Sequence, residues 1–543
     1  MGTQKARFTP PTRGSAGRER EVTFGVAGGV HFGVPSQSVP NGFSPTLRNL
    51  VPSGAGAVTP RSALTKVSSG LISGINAPIL GAAEVVAKDG NFAAFITSSQ
   101  SVQIFYDTGD WREKRYLIGN QSWHSGPLGA SGDSTGYVEI VGVYDPTHTA
   151  GFGQMIAVFS NHSDSIKFAQ VASATSYSDF TWCDSIDSTH CAKALCVVND
   201  RLVLFNTKGF TTGGVAIPRP TRVMWSARGN PRSFLITDGA GAEDLMEMHG
   251  EGQKAIRFRD FMLLFTETEI WRGTPTLDDY AFRFNLVIDK GCPFPRTVVA
   301  TPNGVVFLGI DHEVYITDGV SVLPLGPIEG QGESRIQAHI RAEITLPHRA
   351  WALYNRTLKR YELYYSVSGS QEGFPTRAFF YDFATQTWWP QTFTHALSRG
   401  VAMLDYGVGT AASSTDSFSP NYFDSFGTAF RSSSTLTNDY ANAIDVRWRA
   451  PGAKNATRKA HLKDVWIDAD VDSASSGSLW LGSARSNSVF TAEKAIAFTT
   501  ANDPIFVPVF TTDNAPSFEL RISDGGRPRI ASFSATLQDA SKF

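Results

Sequence analysis

The sequence predicts an all-β fold, a β-propeller built of antiparallel meanders, and three observations carry that expectation. Aromatic residues form 12% of the chain beside 50 glycines and 28 prolines, a pairing of strand formers with turn formers that suits many short strands better than long helices. Short apolar runs alternate with polar turns from about residue 80 onward. Asp-Gly at 89–90, 238–239, 318–319 and 524–525, with Asn-Gly at 303–304, supplies residues that tolerate the positive φ of two-residue hairpin loops.

At 543 residues the chain exceeds one ordinary core, so it divides. Residues 1–60, rich in Pro, Gly and Ser with little periodicity, read as an extended N-terminal arm that drapes over another surface. Residues 61–410 read as the propeller: runs such as SVQIFYDTGDW, GYVEIVGVYD, ALCVVNDRLVLFN and RYELYYSVSG follow one another with turns between. Strand-pair starts fall near residues 92, 155, 195, 256, 298, 350 and 396. That spacing is about what a four-stranded blade with variable loops needs. Ile336, Ile340 and Ile344 in GESRIQAHIRAEI (332–344) recur every four residues and predict one short helix. Residues 411–440, low in charge and rich in Ser and Thr, read as a loop or linker. Residues 441–543 hold about six short strands, enough for a small β-sandwich-like region or for strands that close the propeller.

The stretch TRVMWSARGNPRSFLITDG (221–239) runs from a strand ending in Trp225 through a turn with Gly229, Asn230 and Pro231 to a second aromatic, Phe234. A similar strand, polar turn and aromatic recur in KFAQVASATSYSDFTW (167–182) and AFFYDFATQTWW (378–389). An aromatic at such a turn seals the gap between neighbouring blades, so the stretch reads as a repeated blade corner.

A net charge of −2 argues against a general nucleic-acid binder. Basic residues concentrate in the first twenty positions and at Arg447, Arg449, Lys454, Arg458, Lys459 and Lys463, a candidate interface for phosphate or an acidic partner if not a solvated strand face. No apolar stretch approaches the roughly eighteen residues of a membrane helix, and the basic start lacks the apolar run of a secretory signal.

Catalytic patterns are weak. Cys183, His190, Cys191 and Cys196 lack the C-x2-C knuckles of a zinc site. GDSTG (132–136) matches a nucleophile elbow in letters, but a loop precedes it and a strand follows, the reverse of what the elbow requires. SDFTW (178–182) resembles a sialidase Asp-box without its glycine, DGAGAEDLMEMHGE (238–251) fails the EF-hand pattern, and GVAGGVHFG (25–33) lacks the G-K-[ST] of a phosphate loop. No catalytic, cofactor or metal residue is assigned, and the expectation is a protein that is not an enzyme.

A family resemblance rests on ordered phrases. NGFSPTLRNLVPSGAGAVTPRSAL (41–64), with Leu47-Arg48-Asn49 and then Pro60-Arg61, resembles the entry segment of tail hub, or nozzle, proteins of short-tailed bacteriophages. VMWSARGNPRSF, with Trp225, Ser226, Asn230 and Pro231, then IRFRDFMLLFTETEIWRG, GVVFLGIDHEVYITDG and AFFYDFATQTWWP are similar to theirs in order, over roughly residues 41–390. The resemblance implies a virion structural subunit in a homo-oligomeric, six-membered ring below the tail adaptor proteins. It implies tail fibre, spike or needle partners, transient passage of double-stranded DNA, no cofactor, and assembly in the bacterial host cytoplasm. The alternatives are a carbohydrate-active or receptor-binding propeller, either a sialidase-like hydrolase or a glycan-binding tail protein, and a cellular propeller scaffold.

Overall fold

The computed structural model describes residues 19–539 apart from 33–37, 55, 67–77, 87–91, 99–101, 107–114, 119–137, 147–153, 163–165, 171–176, 180–189, 211–215, 277–280, 327, 330–332, 335, 371–372, 403–419, 427, 434–437, 440–441, 452–459, 471–474, 484–491, 499–503, 514–515 and 523–526. The chain forms two compact units, one from residues 61–444 and the other from the residues before 61 together with those after 444.

The first unit is a seven-bladed β-propeller. Each blade is a four-stranded antiparallel sheet, and the innermost strands are Ile79–Val86, Glu139–Asp145, Cys191–Val198, Lys254–Phe258, Val299–Thr301, Trp351–Asn355 and Leu397–Ala402. Each innermost strand touches the next, and the seventh touches the first, so the sheets close into a ring. Six blades take their strands from one continuous segment. Blade seven does not: its outermost strand is Ala63–Lys66, paired antiparallel with Ala429–Ser433. The predicted linker is thereby corrected, because Pro420–Asp424 and Ala429–Ser433 are the second and third strands of blade seven. Tyr422, Phe423 and Phe430 there are buried, and their burial outweighs the surrounding serines.

Turn chemistry placed by sequence holds in blade five, whereas Asp238-Gly239 ends a short 3-10 turn in the long connection between Ala216–Trp225 and Gly241–Asp244. The Pro302–Asn303 loop before Gly304 joins the first two strands of blade five, and Asp318-Gly319 joins its last two. Asp89-Gly90 and Asp524-Gly525 lie outside the described residues. The predicted helix is shorter than its isoleucine pattern, Gln337–Glu343, with Ile336 and Ile340 buried.

Blade corners behave as their aromatics predict. Trp225 packs edge-on against Phe282 of blade four at 5.6 Å, within a cluster holding Phe205, Met262 and Trp271. Phe234 instead joins the cluster between blades two and three, with Ile156, Phe168 and Leu204. Ser226 completes the corner by donating its backbone N–H to the Leu202 carbonyl at 2.9 Å and accepting the Leu202 N–H on its Oγ at 3.0 Å. In blade six Trp388 donates its indole N–H to the Leu325 carbonyl that follows blade five, at 3.1 Å. Phe180 and Trp182, the third expected instance, lie outside the described residues.

The second unit is a two-sheet β-sandwich. One sheet holds Glu19–Gly25, Leu50–Pro52, Val58–Pro60, Arg529–Asp539, Ala460–Asp470 and Ile505–Asp513, and the other Leu47–Arg48, Val446–Arg449, Pro516–Ile522, Ser475–Ser483 and Ala492–Phe498. Trp448 of one sheet stacks on Phe533 of the other at 4.3 Å, and Phe24 meets Phe518 at 5.8 Å. The expected N-terminal arm is corrected accordingly: residues from 19 to 60 contribute strands to both sheets of their own chain's sandwich. The segment has little periodicity because its strands are two to seven residues long and, apart from the hairpin of Leu50–Pro52 with Val58–Pro60, find partners hundreds of positions away.

Candidate functional site

The residues singled out by sequence are structural where they are described. Leu47 is buried, and Arg48 pairs with Asp445 at 3.2 Å. Asn49 adopts a left-handed backbone (φ 57°) and donates its side-chain amide to the Asp445 carbonyl at 2.8 Å. Asn is among the few residues that accept this conformation at low cost. Pro60 closes a buried strand. Arg61 is buried and forms a fork-on-fork pair with Asp439, while also donating to the carbonyls of Ser62 (2.9 Å) and Thr392 (2.8 Å). In the corner, the Asn230 side chain accepts the Arg232 N–H at 3.1 Å, and Pro231 follows in the same turn.

The candidate interface changes character. Arg447 pairs with Asp445 at 2.9 Å, sharing that carboxylate with Arg48. Arg449 donates twice to Glu519, a carboxylate 1% exposed that Arg521 also holds at 2.7 Å. Both arginines are therefore engaged within their own sandwich. Lys463 lies half-buried in the strand Ala460–Asp470, and Lys454, Arg458 and Lys459 lie outside the described residues. Cys191 and Cys196 are buried thiols on the innermost strand of blade three, and Cys183 lies outside the described residues. GDSTG and the last three residues of SDFTW also lie outside them.

A different site emerges on the propeller axis. A cavity of about 260 Å³ is lined by innermost-strand residues of blades one, four, five, six and seven, including Ala82, Lys254, Val299, Leu353, Arg399 and Gly400, together with Arg296. Blades two and four are bridged there by Lys254, whose ammonium donates to both Glu139 carboxylate oxygens at 2.6 Å. A charge pair with so little water around it is tolerated only when well bonded, as this one is.

At the end of the axis where each blade's first two strands turn, a second cavity of about 760 Å³ spans blades four to six. It shares Ala300, Tyr354 and Arg356 with the axial cavity. Arg257 and Arg259 reach it from the first turn of blade four, Thr301, Pro302 and Asn303 from blade five, and Arg356 and Lys359 from blade six. Phe258, Tyr354 and Phe383 supply aromatic surface, with Tyr354 and Phe383 edge to face at 6.0 Å. Burial pushes the Tyr354 hydroxyl above its ordinary pKa, with Arg356 opposing the shift. None of the lining residues is acidic.

Two of these cations stand at a conformational cost. Arg259 (φ 56°) and Lys359 (φ 49°) take left-handed backbones in their first turns, where blade three uses Asn199 and Asp200. For a side chain without a local hydrogen-bonding group the left-handed region costs about 1–2 kcal/mol. Arg257 is aimed by donating its Nε–H to the Arg259 carbonyl at 3.0 Å, and the Arg259 guanidinium lies 5.0 Å over the Phe258 ring. Sequence reasoning missed this group because its two pairs of cations lie about a hundred residues apart and meet only through ring closure.

The fold and the axial site define the chain as a β-propeller protein with an appended β-sandwich. No family model matches it, and no curated protein matches it by sequence. Among solved structures it is similar to BamB from Moraxella catarrhalis, at 10% identity and TM-score 0.32, over 69% of this chain and 98% of that one. It is also similar to the α-L-arabinanase of Penicillium chrysogenum complexed with arabinobiose, at 10% identity and TM-score 0.30, over 68% of this chain and 97% of that one. A third is the exo-β-1,3-galactanase of Phanerochaete chrysosporium with galactose, at 7% identity and TM-score 0.25, over 73% of this chain and 95% of that one. These likenesses concern the fold. Two of the three are glycoside hydrolases, so the expectation that the chain is not an enzyme gains no support from them.

Proposed function

We propose that the chain is a tail hub subunit of a short-tailed bacteriophage, one copy of a homo-oligomeric, six-membered ring that continues the DNA-ejection channel below the adaptor. The observation that carries this reading is the position of the phrases behind the resemblance. Leu47-Arg48-Asn49 and Pro60-Arg61 are the residues through which the early chain is bonded to Asp445 and Asp439 late in the sequence. Trp225 and Ser226 likewise hold a blade corner. Residues with such roles specify an architecture, so a chain that shares these phrases in this order shares the construction as well.

The conduit in this reading lies between subunits. An axial cavity of about 260 Å³, with Lys254 and Glu139 joined beside it, has no room for a duplex. The net charge of −2 suits a wall that guides DNA, because many phosphate contacts would bind it tightly and in a salt-dependent way. Light scattering coupled to size exclusion, with negative-stain images of the peak, tests the reading. The expected result is an annular particle of about six times the 58.8 kDa chain, alone or after addition of adaptor subunits. A chain that stays monomeric with adaptor present, and is missing from purified particles, would refute it.

A further inference from the structure

We infer that the cavity between blades four and six is a binding site for a small organic polyphosphate, a compound with two or more phosphate groups on a compact ring-shaped body. The inference is independent of the ring reading. It rests first on unbalanced charge. Arg257, Arg259, Arg356 and Lys359 are exposed around one cavity of about 760 Å³, and none has a carboxylate partner among the described residues. The nearby acids do not fill this role: Asp260 is outside the lining, Glu362 is buried and accepts from Arg360 at 2.6 Å, and Asp382 accepts the N–H groups of Ala384 and Thr385 at 2.9 Å. Four like charges facing one space repel each other until an anion enters.

The second support is the backbone. Arg259 and Lys359 hold left-handed turn positions that Asn, Asp or Gly would fill more readily, and strain of this kind persists where a side chain is needed in one direction. These two residues come from different blades, so the coincidence is not one turn's idiosyncrasy.

The chemistry of the groups selects the ligand. Three of the four cations are guanidinium groups, whose planar forks meet phosphate oxygens in pairs. A phosphate carries about −1.5 to −2 charges, so two of them neutralise the four cations, whereas four separate carboxylates would have to crowd the same volume. Tyr354 and Phe383 are half-buried and offer an apolar wall, and Asn303 offers an amide, which together suit a ring-shaped body better than a bare ion. A duplex does not fit a recess of this size, so the site is assigned to a small molecule.

The test is isothermal titration of the intact protein with three probes, tripolyphosphate, ATP and fructose 1,6-bisphosphate, with oligoglutamate as a carboxylate control. Binding of at least one phosphate probe is expected, weakening ~tenfold or more when salt is raised from about 50 to about 300 mM. The affinity should fall ~tenfold or more in Arg259→Gln combined with Arg356→Gln, two exposed residues whose replacement leaves the melting temperature in place. Preference for ATP assigns a nucleotide, and preference for the bisphosphate assigns a phosphorylated sugar; either supports the site. Binding unaffected by the double variant, binding of oligoglutamate alone, or no binding by any phosphate probe would each overturn it.

Discussion

Replacing Asp439 with alanine tests how the propeller is closed. The Asp439 carboxylate is 3% exposed and takes two guanidinium hydrogen bonds from Arg61, and it also accepts the backbone N–H of Leu64 at 2.9 Å. Leu64 lies in the strand Ala63–Lys66 that completes blade seven, so one carboxylate fixes both the charge and the strand. Its removal takes the carboxylate away from Arg61, whose guanidinium also meets the Ser62 and Thr392 carbonyls and the face of Phe393, 4.3 Å away. An uncompensated buried charge of this kind costs about 3–5 kcal/mol. A buried amide left without its acceptor adds about 1–3 kcal/mol, in part already counted in that range. Urea denaturation followed by tryptophan fluorescence should therefore place the first transition of Asp439→Ala about 3–5 kcal/mol below the parent. The double variant Arg61→Met with Asp439→Leu should recover most of the loss, because the cost comes from the unpaired charge more than from the missing attraction. A loss under about 1 kcal/mol in Asp439→Ala, or a double variant no better than the single, would refute the account of a desolvated pair clamping the closing strand.

Trp225→Ala should destabilise the propeller by about 3–5 kcal/mol, read from the same denaturation curves, since it empties the seam where Phe282 and Met262 pack. Gly241→Ala should act on the same seam, because a Cβ there would stand 2.7 Å from the Trp225 ring. Arg449→Glu should unfold the sandwich, measured by limited proteolysis, because it sets a second carboxylate against buried Glu519. Tyr361, Tyr364, Tyr365 and Tyr422 are all held well above the ordinary tyrosine pKa by burial, reinforced in Tyr364 and Tyr422 by Glu362. Their neutral forms are favoured in the folded state, so stability is full below about pH 10 and falls as pH rises above it, with phenolate absorbance appearing together with unfolding. Burial pushes the Cys196 and Cys292 thiols up to about 12, so neither should react with iodoacetamide at about pH 8 in the native protein, as peptide mapping would show.

The propeller was legible because its determinants are local. Five of the strand-pair starts read from sequence, near 195, 256, 298, 350 and 396, fall within a few residues of innermost strands. In blade one the reading began at the second strand, Phe92–Ser98, because the innermost strand ILGAAEVV carries Gly81, Ala82 and Ala83 where strand formers are expected. The closing strand was not legible, since Ala63–Lys66 pairs with a partner far along the sequence and nothing local marks the match. The same holds for the sandwich, where Glu19–Gly25 pairs with Arg529–Asp539. The basic segment misled for a related reason. Arg449 looks free in sequence, and its partner Glu519 becomes visible only across a sheet. The cationic cavity was hidden because Arg257 and Arg356, read singly, look like ordinary solvated charges on strand ends.

The origin of the strand Ala63–Lys66 has a consequence for how the protein is made. A ribosome adding about 5–20 residues per second delivers this strand roughly 20–70 s before Ala429–Ser433, the partner that covers its edge. Through that interval blades one to six can form in sequence, while the segment that will lock the ring stays unpaired. Glu19–Gly25 waits longer still for Arg529–Asp539. Interrupted synthesis would therefore release chains carrying nearly finished blades beside exposed strand edges, a combination prone to pair with other copies. Slow translation would prolong this hazard, and a chaperone that shields the early strands would relieve it.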